Sequence, residues 1–203
     1  MVIRPFRRSA TMSETGSEPP GRDELIERAR RRDQQAWTEI YHHFSGPIYG
    51  WFFHQLHHRE LSEDMTEEVF LEAMRAVDRF HGSFADLRSW LFRIGRNNLI
   101  DHRRRQGRAT LETIEDADPA LLARVVPSED PEEIAIVHLD RQRVWDAVER
   151  LSPDQKEVVL LRLTGGLSSP EIAAIIRKSV GAVKALQHRA LGTLAKMLGD
   201  EER

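Results

Sequence analysis

The feature that most constrains this chain is an interruption. Two stretches repeat apolar residues at helical spacing, and between them residues 107–139 lose the repeat, carry Pro119, Pro127 and Pro131, and collect acidic side chains. An unpatterned stretch has no apolar face to bury, so a helical repeat on both sides of it predicts two bodies rather than one. No segment alternates with the two-residue period of a half-buried strand, and no internal repeat is visible. The expected fold is all-α. Two small helical domains, 22–106 and 140–198, are joined by a flexible acidic linker at 107–139, and the second contains a helix-turn-helix. Residues 1–21 are rich in Pro, Gly, Ser and Thr without periodicity and are expected to be disordered; Met12 offers an alternative start within them, and 199–203 form a short tail.

Charge follows the same division. The net charge of −3 hides a cationic stretch at 88–108, with seven Arg against one Asp, and another at 171–196, with five basic residues against Glu171. Between them, residues 109–140 carry nine acidic groups against Arg124. Two cationic segments separated by an anionic one suit two phosphate-contacting surfaces joined by a segment that avoids nucleic acid. No apolar run approaches the roughly 20 residues that span a bilayer, and no apolar core follows Arg4, Arg7 and Arg8 as in a secretory signal. The absence of cysteine excludes disulfides, thiolate ligands and thiol redox chemistry. The expectation is a cytoplasmic protein with no membrane insertion and no cofactor.

Within the first domain, Leu25, Ile26 and Ala29 form a short apolar face, and Asp33 is placed to cap a helix carrying Ala36, Trp37, Ile40, Tyr41 and Phe44. Pro47 suits the first turn of a further helix with Ile48, Trp51, Phe52 and Leu56 inward. Ser62 is placed to cap the next, with Met65, Val69, Ala73, Ala76 and Phe80 inward. After a loop at 81–85, a last helix starts near Asp86, buries Leu87, Leu91 and Ile94, and ends in Arg103-Arg104-Arg105. On it Arg93, Arg96, Asn97, Arg103 and Arg104 fall largely on one side, a cationic face for a single strand's backbone. Asn97 and Asp101, one turn apart, offer an amide and a carboxylate to base edges, and Gly82, Ser83 and Phe84 suit a pocket for an unstacked base. Trp90 suits core packing better than a melting wedge.

The second domain has the stronger local signal. Ser152-Pro153-Asp154-Gln155 forms a capping box ahead of Val158, Val159, Leu161 and Leu163, and that helix stops at Gly165-Gly166. Ser168 or Ser169 caps a short helix with Ile172, Ala173, Ile175 and Ile176 inward. A tight turn at Arg177-Lys178 leads to Ser179, a second cap, and to a helix with Val183, Leu186, Ala190 and Leu194 inward. That is the plan of a helix-turn-helix, whose second helix lies in the major groove. Gly181 and Ala182 permit close backbone approach, while Lys184, Ala185, His188 and Arg189 face away from the core toward base edges and phosphates.

Residues 167–191 resemble the fourth region of bacterial RNA polymerase sigma factors, and residues 63–70 with 81–102 resemble their second. Two matches in the family's order, over roughly 22–106 and 140–198 with no third region between them, resemble the small extracytoplasmic-function (ECF) class of the sigma-70 family. The resemblance implies a non-enzymatic promoter-recognition subunit whose partners are core RNA polymerase, promoter DNA and an anti-sigma factor. It implies that Asp64, Glu67, Glu68 and Phe70 meet the beta-prime clamp helices. Ser83, Phe84, Arg88, Arg93, Arg96, Asn97, Asp101, Arg103 and Arg104 would meet −10 DNA. Ser179, Gly181, Lys184, Ala185, His188 and Arg189 would meet the −35 element, in a domain that also docks on the beta flap.

Some residues depart from the family pattern. Arg177 stands where Gly is usual, which at positive φ costs about 1 kcal/mol, and Lys178 stands where an apolar residue is common. Leu186-Gln187 reverses the usual order, and Glu67 replaces a common Gln. Two rival readings remain at this level. One is a helix-turn-helix regulator that binds duplex DNA without polymerase. The other is a metal-dependent helical enzyme built on His42, His43, His54, His57 and His58; these histidines fit a polar helix face better than a zinc site lacking a third ligand and second-shell partner.

Overall fold

The structure, a computed structural model, describes residues 22–106 and 143–200. The predicted extension at 1–21, the linker at 107–139 and the end of the tail at 201–203 lie outside the described residues. The first body comprises α1 (Arg22–Arg30), α2 (Gln34–Leu56), α3 (Arg59–Ala76), a 3-10 turn (Val77–Arg79) and α4 (Phe84–Gln106). The second comprises α5 (143–149 in its described part), α6 (Pro153–Leu163), α7 (Ser169–Ile176) and α8 (Val180–Asp200). No described residue lies in a strand.

Three helix starts differ from the expectation. Pro47 does not open a helix; it lies exposed within the continuous α2. A proline inside a helix costs about 3 kcal/mol, whereas fully burying one large apolar side chain returns about 1.5–3 kcal/mol. Phe44, Ile48, Trp51 and Phe52 flank it and are all fully buried, so burial on one face outweighs the missing N–H on the other. Ser62 is not a cap either. His57 ends α2 in the left-handed region at φ 53°, and His58 caps α3 by accepting the Leu61 N–H on Nδ1 at 3.2 Å. A two-residue turn therefore moves the start of α3 forward and leaves Ser62 buried inside it. Finally, α4 begins at Phe84, because the Ser83 N–H and hydroxyl both donate to the Asp86 carboxylate, at 2.9 and 2.8 Å.

Other starts follow the sequence. Asp33 caps α2, accepting from the Gln35 and Ala36 N–H groups at 2.8 and 3.3 Å. Ser152 with Gln155, and Ser168 with Glu171, form capping boxes at α6 and α7, so Ser168 rather than Ser169 is the cap.

The two bodies do not stand apart. One buried apolar cluster runs from Leu25 in α1 to Leu194 in α8, with α4 packed against α7 and α2 against α6. The Gly165-Gly166 turn makes this approach possible. A Cβ on Gly165 would lie 3.0 Å from the Phe92 ring, and one on Gly166 would lie 3.2 Å from Nη1 of Arg88.

Candidate polymerase and nucleic-acid interfaces

Helix α4 was expected to present one cationic side; it has two stripes. Arg93, Asn97, Asp101 and Arg104 are exposed and recur at helical spacing on the outer stripe, where Arg104 pairs with Asp101 at 3.5 Å. Arg88, Phe92 and Arg96 recur about a third of a turn away and face the second body, and Arg103 continues that stripe but is exposed. Arg96 Nε donates to Glu157 Oε1 of α6 at 2.7 Å, and the two side chains are only 18% and 20% exposed. Arg103 Nη2 donates to Gln55 Oε1 at 2.8 Å. Partial burial pushes the Arg103 guanidinium down from its ordinary value, and the nearby Glu157 carboxylate opposes that shift.

The loop ahead of α4 also differs from its expected form. Ser83 is half-exposed, but the Phe84 ring is buried between α2 and α4, 5.5 Å from Phe44 and 5.4 Å from His43. As the first residue of α4, Phe84 points back into the core instead of lining a pocket. Gly82 fits where no side chain would, since its Cβ would fall 2.8 Å from the Phe80 ring. Trp90 is half-buried and packs on that same ring at 4.8 Å.

On α3, Asp64, Glu67 and Glu68 are exposed along one stripe. Phe70 is not part of that surface: its ring is buried and rests on Tyr41 at 4.8 Å. Sequence reasoning missed Leu71, which is 44% exposed on the same side of α3, one turn beyond Glu67 and Glu68. The signal for it was present, because Leu71 falls outside the repeat formed by Met65, Val69 and Ala73.

The helix-turn-helix closes as the sequence predicts. Arg177 takes φ 56°, the left-handed conformation expected for the family's usual glycine, and the Lys178 N–H returns to the Ala173 carbonyl at 3.1 Å. Lys178 is held by Asp154 of α6 at 2.9 Å, which gives its unusual charge a partner. Ser179 caps α8 by accepting the Ala182 N–H at 3.1 Å. Gln187 accepts the Ser169 hydroxyl at 2.9 Å and pins α8 to α7. Ser179, Gly181, Lys184, Ala185, His188 and Arg189 are all exposed on the outer side of α8 and its cap, and no described side chain pairs with Lys184, His188 or Arg189.

The histidines separate. His54 is not a polar-face residue: it is 6% exposed and stacks on Trp145 of α5 at 3.7 Å. Burial pushes it down to about 4, with Glu149 opposing and His57 and Lys156 adding to the shift. His57 Nε2 lies 3.2 Å from Glu149 Oε2, and Lys156 bonds the same carboxylate. Among the described residues, no group of three or more His, Cys, Asp or Glu side chains is arranged to hold a metal ion, and no helix is long and apolar enough to cross a membrane.

Residues 40–109 match Sigma-70 region 2, and residues 141–194 match Sigma-70, region 4. The ECF RNA polymerase sigma factor BldN of Streptomyces coelicolor is 35% identical over 181 residues, spanning 89% of this chain and 67% of that protein. The ECF sigma factor SigX of Bacillus subtilis is 27% identical over 171 residues, 80% of this chain and 84% of that one. Among solved structures, CnrH in complex with the cytosolic domain of CnrY has a TM-score of 0.61 at 23% identity, covering 89% of this chain and 99% of that chain. The sigma factor RpoE in complex with the anti-sigma factor NepR from Bartonella quintana has a TM-score of 0.62 at 23% identity, covering 81% and 98%. The structural likenesses bear on the fold alone. The two regions in their order, with a 35% identical relative across most of the length, place the chain in the ECF class of the sigma-70 family of RNA polymerase sigma factors.

Proposed function

We propose that this chain directs core RNA polymerase to promoters by reading a −35 element with α8 and a −10 element with α4, and that it helps separate the strands at the latter. The observation that carries this is the presence, in one chain, of an exposed recognition helix and a second cationic helix bearing Asn97 and Asp101, in the family's order. The first reads duplex: Lys184 and His188 reach base edges or phosphate, and Arg189 reaches phosphate. The second holds a single strand. Its outer stripe of Arg93, Asn97, Asp101 and Arg104 offers base-edge and backbone partners, while Arg88, Arg96 and Arg103 supply further cations to the strand. No covalent step is needed, because binding energy offsets the few kcal/mol required to unstack a base.

Polymerase docks on the acidic stripe of α3, which Asp64, Glu67 and Glu68 form and Leu71 extends by one turn, and Phe70 supports that surface from beneath through Tyr41. The beta flap is the second docking point, and it meets the second body. An anti-sigma factor is the proposed protein partner, and it would cover the exposed apolar groups Tyr41 and Leu71 of the first body and Leu163 and Leu191 of the second.

The test is transcription in vitro with purified core polymerase on a pooled promoter library, with and without the protein. Protein-dependent starts sharing upstream −35 and −10 elements are expected. A protein that footprints duplex DNA alone, without binding core or producing starts, is instead a stand-alone regulator.

A further inference from the structure

Helix α1 has no part in the DNA or polymerase contacts above, yet Arg28, Arg30 and Arg32, on it and just past its end, are all engaged. The helix is fixed to α2 at two points. The Trp37 indole N–H donates to the Ala29 carbonyl at 3.0 Å, and Arg28 Nε bonds the Asp33 carboxylate at 2.7 Å. From this anchored base the other two arginines reach backbone 50 and 42 residues later in the chain. Arg30 Nη2 donates to the Phe80 carbonyl while its Nη1 bonds Glu27, so both arms of the fork are occupied. Arg32, in the left-handed conformation at φ 63°, donates through Nη1 to the Met74 carbonyl in the last turn of α3 and lies 3.3 Å from Asp78 through Nη2. Carbonyls at a helix end have no partner within the helix, so donors from outside hold them.

These ties fix the upstream end of the loop that precedes α4. The Phe80 ring packs on Trp90 at 4.8 Å and leaves no room for a side chain at Gly82, and the Ser83 N–H and hydroxyl close the downstream end on Asp86. Between the two ends, His81 is exposed and Gly82 and Ser83 are half-exposed. A loop held at both ends loses little freedom when a ligand settles on it, which is how preorganisation adds affinity. We infer that Arg30 and Arg32 are positioning residues for strand capture: they hold the backbone from Met74 to Phe80 so that the 81–83 loop meets an unstacked −10 base in one conformation. The use of the loop for a base rests on the −10 reading above, whereas the tie from α1 to the loop does not. Arginine suits the task because its planar fork serves a carboxylate with one arm and a carbonyl with the other, while an ammonium is a single point of charge.

The experiment compares the full chain with Arg30→Ala, Arg30→Lys and Arg31→Ala, the last removing the same charge from an exposed neighbour with no described tie to the loop. Circular dichroism checks folding, and Arg32→Gln, at a side chain 56% exposed, is the second test variant if Arg30→Ala does not fold. Amide hydrogen exchange over 77–84 should rise about tenfold in Arg30→Ala, less in Arg30→Lys and not in Arg31→Ala. Holoenzyme binding is then read on a fork DNA built from the strongest start in the pooled library, with abasic sites placed singly along its single-stranded −10 segment. One such site should weaken binding by the parent about tenfold, and in Arg30→Ala that penalty should shrink to about two- to threefold. Binding to core polymerase and to −35 duplex should not change. A general loss of stability weakens every fork alike and leaves the penalty at one site as it was, so the ratio separates positioning from folding. Unchanged exchange, an unchanged penalty, or an equal effect in Arg31→Ala overturns the inference. If the parent neither binds core nor yields starts, the promoter reading fails and the capture role falls with it, while hydrogen exchange still decides the tie itself.

Discussion

Helices α4 and α8 are both cationic, both long and both expected to meet DNA, yet they face solvent differently. The outer face of α8 carries Lys184, His188 and Arg189 with no described partner, whereas α4 gives one stripe to solvent and surrenders the other to the second body. The difference comes from what each helix packs on. Helix α8 buries its inner face against α6 and α7 and is finished there. Helix α4 packs against α1, α2 and α3, and one of its two polar stripes is taken up by α7 and the turn after α6. A basic helix is thus a DNA surface only where the fold leaves its donors unclaimed.

The largest expected effect concerns the continuity of the core. Leu160 in α6 is fully buried, and Leu160→Ala should destabilise the protein by about 2–5 kcal/mol. If α4 and the second body are joined as described, thermal unfolding followed by circular dichroism shows one cooperative transition moving to lower temperature. Two transitions, with only one displaced, would mean that the bodies fold independently and that the contrast between α4 and α8 is not built into one core.

Acid should open the covered stripe and leave the other helix alone. Docking buries His54 beside Trp145, Glu149, His57 and Lys156 and pushes it down to about 4 from an ordinary 6.5. Between those values the docked form binds fewer protons than the separated one, so docking is fully supported above about 6.5 and weakens as pH falls toward 4. Burial opposes the shift at Glu149, but its bonds to His57 and Lys156 hold the carboxylate below its ordinary value, so protonating it acts in the same direction. Taking the pH from neutral to about 5 should reduce docking by about 2 kcal/mol, measured as loss of energy transfer between dyes on Glu24→Cys and Lys196→Cys, both exposed sites. His54→Phe should flatten that profile.

The open helix is probed by salt. Lys184→Ala or Arg189→Ala should each weaken duplex binding by roughly tenfold or less and lower the slope of log K against log salt by about one, if the residue meets phosphate. Arg96→Ala should leave duplex binding unchanged. A fall in duplex affinity for Arg96→Ala would erase the distinction between the two helices.

The smallest effect tests the turn between α7 and α8. Arg177 holds a left-handed conformation, so Arg177→Gly should change stability by about +1 kcal/mol at most, read as a small rise in the melting temperature without altered DNA binding.

Much was legible in the sequence because it depended on local chemistry. Asp33, Ser152 and Ser168 are caps because a side-chain oxygen two or three residues ahead of free N–H groups is a local arrangement, and helical spacing alone divides Ile172, Ile175, Val183 and Leu186 from Lys184, Ala185 and His188. The all-helical class and the helix-turn-helix follow from the same short-range rules, whereas Asp64, Glu67 and Glu68 of α3 were singled out through the family resemblance. Other features were decided by partners far away along the chain. Pro47 lies within a helix because Phe44 and Trp51 are buried on its other face, and Phe84 leaves the expected pocket because Phe44 offers it a place in the core. His54 leaves the polar face because Trp145 covers it, and Arg96 faces a carboxylate instead of solvent because Glu157, 61 residues later, is brought to within 2.7 Å. Periodicity records which side of a helix is apolar, but it carries no record of which polar side another body will cover. That depends on the summed burial across the whole cluster, and only the tertiary structure decides it.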